Sequence, residues 1–330
     1  MSKKILVIRF SSIGDIVLTT PVIRALRLQL GAEVHFLTKM AFAPIVQNNP
    51  HISKVITLQD DFNSLIRELK DEHYDYIIDL HHNLRTQRIK LALRKSSSSF
   101  YKLNFEKWLL VHTGVNRLPD LHIVDRYMEA AESLGVKKDE LGLDWFIPDE
   151  NKVDIQSTFG LAPGSYIAFV VGAAHVTKCL TSEQIIAICN RLNAPVILLG
   201  GKDEIEKANL IEASVPPGKV KNACGQFDLL QSSSILQQSG AVIAHDTGLM
   251  HITAALHKPQ VVIWGNTIPQ FGMYPYYGNI SGQWISFEQK GLTCRPCSKL
   301  GFPKCPKGHF KCILSLDLNG IAEAAESLIA

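Results

Sequence analysis

Ile5-Leu6-Val7-Ile8-Arg9-Phe10-Ser11-Ser12-Ile13-Gly14-Asp15 runs from four consecutive branched apolar residues into a small-residue turn that ends on a carboxylate. An uninterrupted apolar run of this length reads as a strand buried on both faces, as in parallel sheets covered by helices. Far down the chain the same design returns as Ala241-Val242-Ile243-Ala244-His245-Asp246-Thr247-Gly248-Leu249-Met250-His251. Two such strand-to-helix turns imply two βαβ-built sheets, each with polar side chains at its carboxyl edge, where open α/β sheets bind ligands.

Working outward, apolar strands are expected at Ile5–Phe10, Val34–Thr38, Val55–Leu58 and Tyr76–Leu80, alternating with helices near Thr20–Leu30, Phe62–Asp71, Leu84–Arg94 and His122–Leu134. The alternation resumes with strands at Ile167–Val171, Val196–Leu199, Ala241–Ala244 and Val261–Trp264, and helices at Ser182–Leu192, Glu204–Ser214, Leu229–Gln237 and Leu249–Leu256. Pro148, the charged run Asp149–Asp154, Pro163 and Gly164 interrupt the periodicity, so the expected domains are 1–155 and 156–314. A final helix at 315–330, with Ile321, Ala324, Ala325 and Leu328 on one face, is expected to pack back across the two lobes.

Composition narrows the class. A chain of 330 residues with 46% hydrophobic content fills two ordinary cores, and a formal charge of +3 is too balanced for a nucleic-acid coat. No apolar run reaches the length of a membrane span and the start is too short for a signal peptide, so a cytoplasmic protein is expected.

Within the first turn, Asp15 sits where the helix dipole and free amides favour an ionised carboxylate, poised to accept a proton. The same Ser12-x-x-Asp15 spacing also writes a capping box, and spacing alone does not separate the two roles. Pro21 suits a first helical turn, which starts the following helix near Thr20. Gly14 is alone here, so the G-x-G-x-x-G of a dinucleotide site is missing. In the second turn, Thr247 and Gly248 offer a hydroxyl and close backbone approach to a phosphate, Asp246 an acceptor for sugar hydroxyls, and His251 lies one helical turn on. A plain acidic helix start accounts for the same residues.

With Ser12-Ile13-Gly14-Asp15, Asp246-Thr247-Gly248-Leu249-Met250-His251, Asp79-Leu80-His81-His82-Asn83-Leu84-Arg85 and Leu199-Gly200-Gly201, the sequence resembles glycosyltransferase family 9, the ADP-heptose:lipopolysaccharide heptosyltransferases, over nearly its whole length. The resemblance implies a GT-B fold: an acceptor-binding first Rossmann-like domain, an ADP-sugar-binding second one, and a cleft between. It implies inverting transfer with Asp15 as base and Ser12 and Gly14 beside the acceptor. The family lysine on the donor phosphates is best matched by Lys178, with Thr177 as a nearby hydroxyl donor, although the residues around Lys178 depart from the family pattern. Asp203 or Glu204 is the carboxylate for the adenosine ribose. No cofactor is needed on this reading. The expected partners are ADP-heptose or a related ADP-sugar, a phosphorylated lipopolysaccharide core and the cytoplasmic face of the inner membrane, with no nucleic acid. A nucleotide-sugar 2-epimerase and a non-catalytic saccharide-binding homologue are the competing readings.

Two further features stand out. Between His81 and Lys107 there are seven basic residues against Glu106 alone, and Arg85 and Arg88 are the expected contacts to an anionic acceptor. In the loop 291–313, Cys294, Cys297, Cys305 and Cys312 surround His309, and reduced thiols, disulfides and a structural zinc are all open.

Overall fold

The computed structural model describes residues 2–280 and 283–329. It divides into two compact units, Met1–Leu103 with Leu121–Phe146 and Gly278–Ile280, and Asn104–Asp120 with Ile147–Tyr277 and Ser281–Ala330.

The first unit carries strands β1 (Lys4–Ile8), β2 (Glu33–Lys39), β3 (Lys54–Leu58), β4 (Tyr76–Asp79) and β5 (Ser96–Ser99) in a parallel sheet of order β3-β2-β1-β4-β5. Helices α1 (Ile13–Val17), α2 (Thr20–Leu30), α3 (Phe62–Asp71) and α4 (Leu84–Leu93) connect them. The expected helix start at Thr20 is observed, with Pro21 in the first turn. Ile5, Leu6, Val7 and Ile8 are fully buried, as a central strand covered on both faces requires.

The second unit begins with α5 (Asn104–Thr113), while α6 (Ile123–Glu129) returns the chain to the first. After α7 (Ile155–Phe159) the strands are β6 (Ile167–Val170), β7 (Val196–Leu199), β8 (Val220–Asn222), β9 (Ala241–His245), β10 (Gln260–Trp264) and β11 (Trp284–Glu288). They form a parallel sheet of order β11-β10-β9-β6-β7-β8, joined by α8 (Ser182–Cys189), α9 (Ile205–Ala213), α10 (Leu229–Gln238) and α11 (Gly248–Ala255). The chain ends with α12 (Lys311–Leu314) and α13 (Leu318–Ser327).

Three expectations about domains are corrected. The division falls at Phe146/Ile147 rather than residue 155, because Val153 donates to Ser234 Oγ at 3.0 Å and accepts from Gln238 Nε2 at 2.9 Å, fastening this stretch to α10. Residues 104–120 belong to the second unit, since Leu110 of α5 packs with Ile268 and Phe271. The terminal helix, expected across the two lobes, has its buried face, Ile321, Ala322 and Ala325, in the second unit's own core.

Each sheet has one topological switch point, where neighbouring strands send their connections in opposite directions. In the first it lies between β1 and β4, in the second between β6 and β9. The crevice beyond the carboxyl ends of such a pair is where this architecture binds ligands.

Candidate functional site

At the β1/β4 switch point, Asp15 is in the first turn of α1, with Ser12 as N-cap in extended backbone. Asp15 Oδ2 accepts from Ser12 N at 3.1 Å and Ser12 Oγ at 2.8 Å. Its other oxygen, Oδ1, lies 2.6 Å from Arg9 Nη2. Capping and charge pairing are therefore split between the two oxygens of one carboxylate that remains 21% exposed. Burial pushes its pKa up, but the Arg9 charge and the two Ser12 hydrogen bonds outweigh this and hold it below the ordinary aspartate value.

Arg9, 8% exposed, is itself anchored by donating to the carbonyls of Ser11 and Leu80. The β4 exit is shaped by the fully buried Asp79, whose Oδ1 accepts from His81 N at 3.1 Å and His82 N at 2.7 Å, while Lys90 lies 3.3 Å from its Oδ2. His81 packs against Phe10, with ring centroids 4.8 Å apart. Burial and the Arg9 charge push its pKa down to about 4, so the imidazole beside this carboxylate is neutral. Of the expected acceptor contacts, Ser12 and Gly14 lie in the Asp15 turn. Arg85 is exposed on α4, and Arg88 stacks over the Phe62 ring at 4.4 Å.

At the β6/β9 switch point, Lys178 ends a single turn, Val176–Lys178, after β6, and Asp246 follows β9. Lys178 Nζ donates to Asp246 Oδ2 at 2.7 Å and to the Asp246 carbonyl at 3.3 Å, which leaves the third ammonium hydrogen for a ligand. Thr267 Oγ1 donates to the same Oδ2 at 2.8 Å. Thr247 is the N-cap of α11 with no side-chain capping bond, so the amides of that turn are open to an anion.

Glu204 rather than Asp203 is the carboxylate held at this edge. A Cβ on Gly172 would stand 2.3 Å from Glu204 Oε1, and one on Gly200 would stand 2.9 Å from Glu204 Cβ, so these glycines admit the side chain; Asp203 is exposed. His251 is 2% exposed and packs inside α11's buried face rather than lining an opening.

Thr177 does not serve as a donor-side hydroxyl. It is 1% exposed, its Oγ1 donates to Asn266 Oδ1 at 3.0 Å and accepts from Phe302 N at 2.8 Å, and it clips the Lys178 turn to the β10 exit and to the cysteine-rich loop. Gly265 makes that clip possible, since a Cβ there would stand 2.2 Å from the Thr177 carbonyl oxygen. Gly265→Ala is therefore expected to cost about 1–3 kcal/mol of stability, with lowered nucleotide affinity, measured by denaturant unfolding and calorimetry.

Arg295 completes the brace from the loop side: it is 6% exposed, and donates to the carbonyls of Gly265 at 2.7 Å and Thr267 at 2.6 Å while pairing with Glu288 at 2.6 Å. The four loop cysteines are free thiols, and Cys294 Sγ lies 3.7 Å from His309 Nε2. Among the described residues no group of three or more Cys, His, Asp or Glu side chains is placed to hold a metal ion.

His245 ties the loop that carries Lys178 to β9. Its Nε2 accepts from Leu180 N at 3.0 Å, which only a neutral ring can do, and burial pushes its pKa down to about 3. The fold thus holds His81 and His245 unprotonated, whereas the unfolded chain takes up protons below about pH 6.5. With folded pKa values depressed, stability is complete above pH 6.5 and is lost as pH falls toward 4 and 3. Thermal melts at pH 7.5 and 5 should show a lower Tm in acid, with a smaller drop in His245→Asn, whose amide oxygen can still accept from Leu180.

Two carboxyl-edge sites thus stand at the switch points, one with a carboxylate held below its ordinary pKa and one with a lysine beside a helix N-terminus. A model of glycosyltransferase family 9 (heptosyltransferase) matches residues 62–299. The chain belongs to glycosyltransferase family 9. This glycosyltransferase is 24% identical over 322 residues to lipopolysaccharide heptosyltransferase 1 of Pseudomonas aeruginosa, an alignment covering 90% of this chain and 86% of that protein. The structure of a family 9 glycosyltransferase from Veillonella parvula superposes with a TM-score of 0.79 at 22% identity, covering 99% of this chain and 97% of that one. E. coli ADP-heptose LPS heptosyltransferase II gives 0.76 at 19% identity, with 99% and 98% covered. The shared fold is GT-B.

Arg9, Thr267, Gly265 and Arg295 are the residues of these sites to which the sequence alone assigned no role. Arg9 had a signal, a guanidinium at the very end of an otherwise apolar strand. The others act through pairings distant in sequence.

Proposed function

We propose that this family 9 enzyme moves a heptose from ADP-heptose to the inner core of lipopolysaccharide, inverting the anomeric centre in one displacement. Relatives named as heptosyltransferases support the sugar and the acceptor. The observation that carries the mechanism is Asp15, a carboxylate kept ionised by Arg9 at a sheet switch point while still 21% exposed. As the acceptor oxygen forms its bond to the anomeric carbon, its proton passes to Asp15 and the bond from that carbon to the diphosphate breaks.

ADP then leaves with added negative charge. Lys178, fixed by Asp246, and the free amides of the Thr247–Gly248 turn stabilise it, and Asp246 and Glu204 take hydroxyls of the donor. Work of this kind takes place at the cytoplasmic face of the inner membrane, where the core is assembled on its lipid. No helix of the described residues is long and apolar enough to cross a membrane.

The test is ADP release from ADP-heptose with a phosphorylated inner-core acceptor. Release that requires both substrates, with a glycosylated product of inverted configuration by NMR, supports the reading. Absence of turnover with a panel of ADP-sugars and core acceptors would replace the donor or the acceptor.

A further inference from the structure

A cavity of about 310 Å³ lies in the second unit, between α5 and the cysteine-rich loop; Lys178 and Asp246 do not line it, although its lining residue Phe302 bonds Thr177, next to Lys178. Asn104, Lys107, Trp108 and His112 line it from the helix, and Ser298, Lys299 and Phe302 from the loop. None of the lining residues is acidic. The loop side belongs to a run of six basic residues, Lys290 to Lys311, with no acid between Glu288 and Asp317. Trp108 is 53% exposed although large and apolar, and its ring continues into a ladder with Phe105 and His112 at centroid distances of 6.4 and 4.9 Å. Lys299 Nζ is 3.4 Å from Asn104 Oδ1 at the start of α5, so the loop's ammonium meets the helix at its positive end.

We infer that this cavity is a binding site for a phosphorylated sugar, with Lys107 and Lys299 on the phosphate and Trp108 against the sugar ring. The volume is at the small end for ligand pockets, which suits one or two pyranose rings rather than a polymer. Lys299 at the helix N-terminus favours a compact dianion, and Lys107, whose Nζ stands 5.9 Å from the Phe271 ring centroid, adds a second cation to the lining. An exposed aromatic face beside them supplies the apolar contact that a free anion does not need. The expected acceptor-binding domain took in α5 but not the loop, and the structure joins the two in the second unit. The inference deepens the proposed function, on which it rests for the acceptor, since it gives the second unit a subsite for the phosphorylated acceptor.

Binding is measured without turnover, by calorimetry and tryptophan fluorescence on the full chain, with glucose 6-phosphate, glucose and inorganic phosphate as probes. Glucose 6-phosphate should bind more tightly than either of the others. Lys299→Glu, at an exposed position, should weaken it at least tenfold with an unchanged melting temperature, and Trp108→Ala should weaken it while sparing inorganic phosphate. With a working acceptor assay, Lys299→Glu should raise KM for the phosphorylated acceptor, leave kcat unchanged, and not alter KM for a dephosphorylated one. Equal affinity for phosphate and glucose 6-phosphate, or binding that survives both substitutions, overturns the site in favour of a plain anion patch. Lack of sugar-phosphate binding together with Trp108-dependent sedimentation on phosphatidylglycerol vesicles overturns it in favour of a lipid surface. Failure of ADP-heptose turnover alone does not touch the calorimetric binding and counts against the proposed function instead.

Discussion

Asp15→Asn is expected to lower kcat by about a hundred- to ten-thousand-fold, the range for losing a positioned general base. The amide keeps an acceptor for Ser12, so the start of α1 survives. What changes is Arg9, a guanidinium 8% exposed whose counter-ion at 2.6 Å is gone, and removing one partner of such a pair is destabilising. Asp15→Asn should therefore also melt lower than wild type. Adding Arg9→Met relieves the stranded charge and should recover much of the Tm with no recovery of turnover. Activity that returned with the Tm would mean that Asp15 is only a structural partner of Arg9. Arg9→Gln alone adds a second reading. With the guanidinium gone the Asp15 carboxyl loses its main stabilising charge, so the acid limb of kcat/KM should move to higher pH.

Lys178→Ala is expected to lower kcat/KM by about a hundred- to a thousand-fold, as for loss of one preorganised group facing developing charge. ADP affinity, measured by calorimetry, should fall as well, because on the proposed reading the ammonium faces the diphosphate in ground and transition states alike. The neighbours make the result specific. Without Lys178, Asp246 Oδ2 keeps the Thr267 hydroxyl at 2.8 Å but loses its cation, and an unpaired carboxylate would then stand beside the phosphate site. Lys178→Ala/Asp246→Asn should accordingly bind ADP better than Lys178→Ala. Unchanged ADP binding and turnover in the single variant would remove Lys178 from the donor site.

Much of this was legible in the sequence because buried parallel strands must be apolar. Val196–Leu199 and the helices Thr20–Leu30 and Phe62–Asp71 have the expected bounds. β5 was not legible: it consists of four serines, and only pairing of Ser96–Ser99 with Tyr76–Asp79 at the sheet edge makes it a strand. β8 and β11 are edge strands too, short or half-buried, with little pattern of their own. The two switch-point motifs could be read because helix starts need small and acidic residues at fixed spacing.

The sequence by itself determined two doubly wound sheets and the turns bearing Asp15 and Asp246, since local periodicity and turn chemistry act within a few residues. Tertiary structure alone decided that Arg9 clamps Asp15, that Glu204 fits over Gly172 where Asp203 does not, and that Thr177 is spent on holding the cysteine-rich loop. It also decided that α5 packs against Ile268 and Phe271. Those outcomes depend on which distant backbone atoms come within hydrogen-bonding or van der Waals reach, and no pattern of neighbouring residues carries that information.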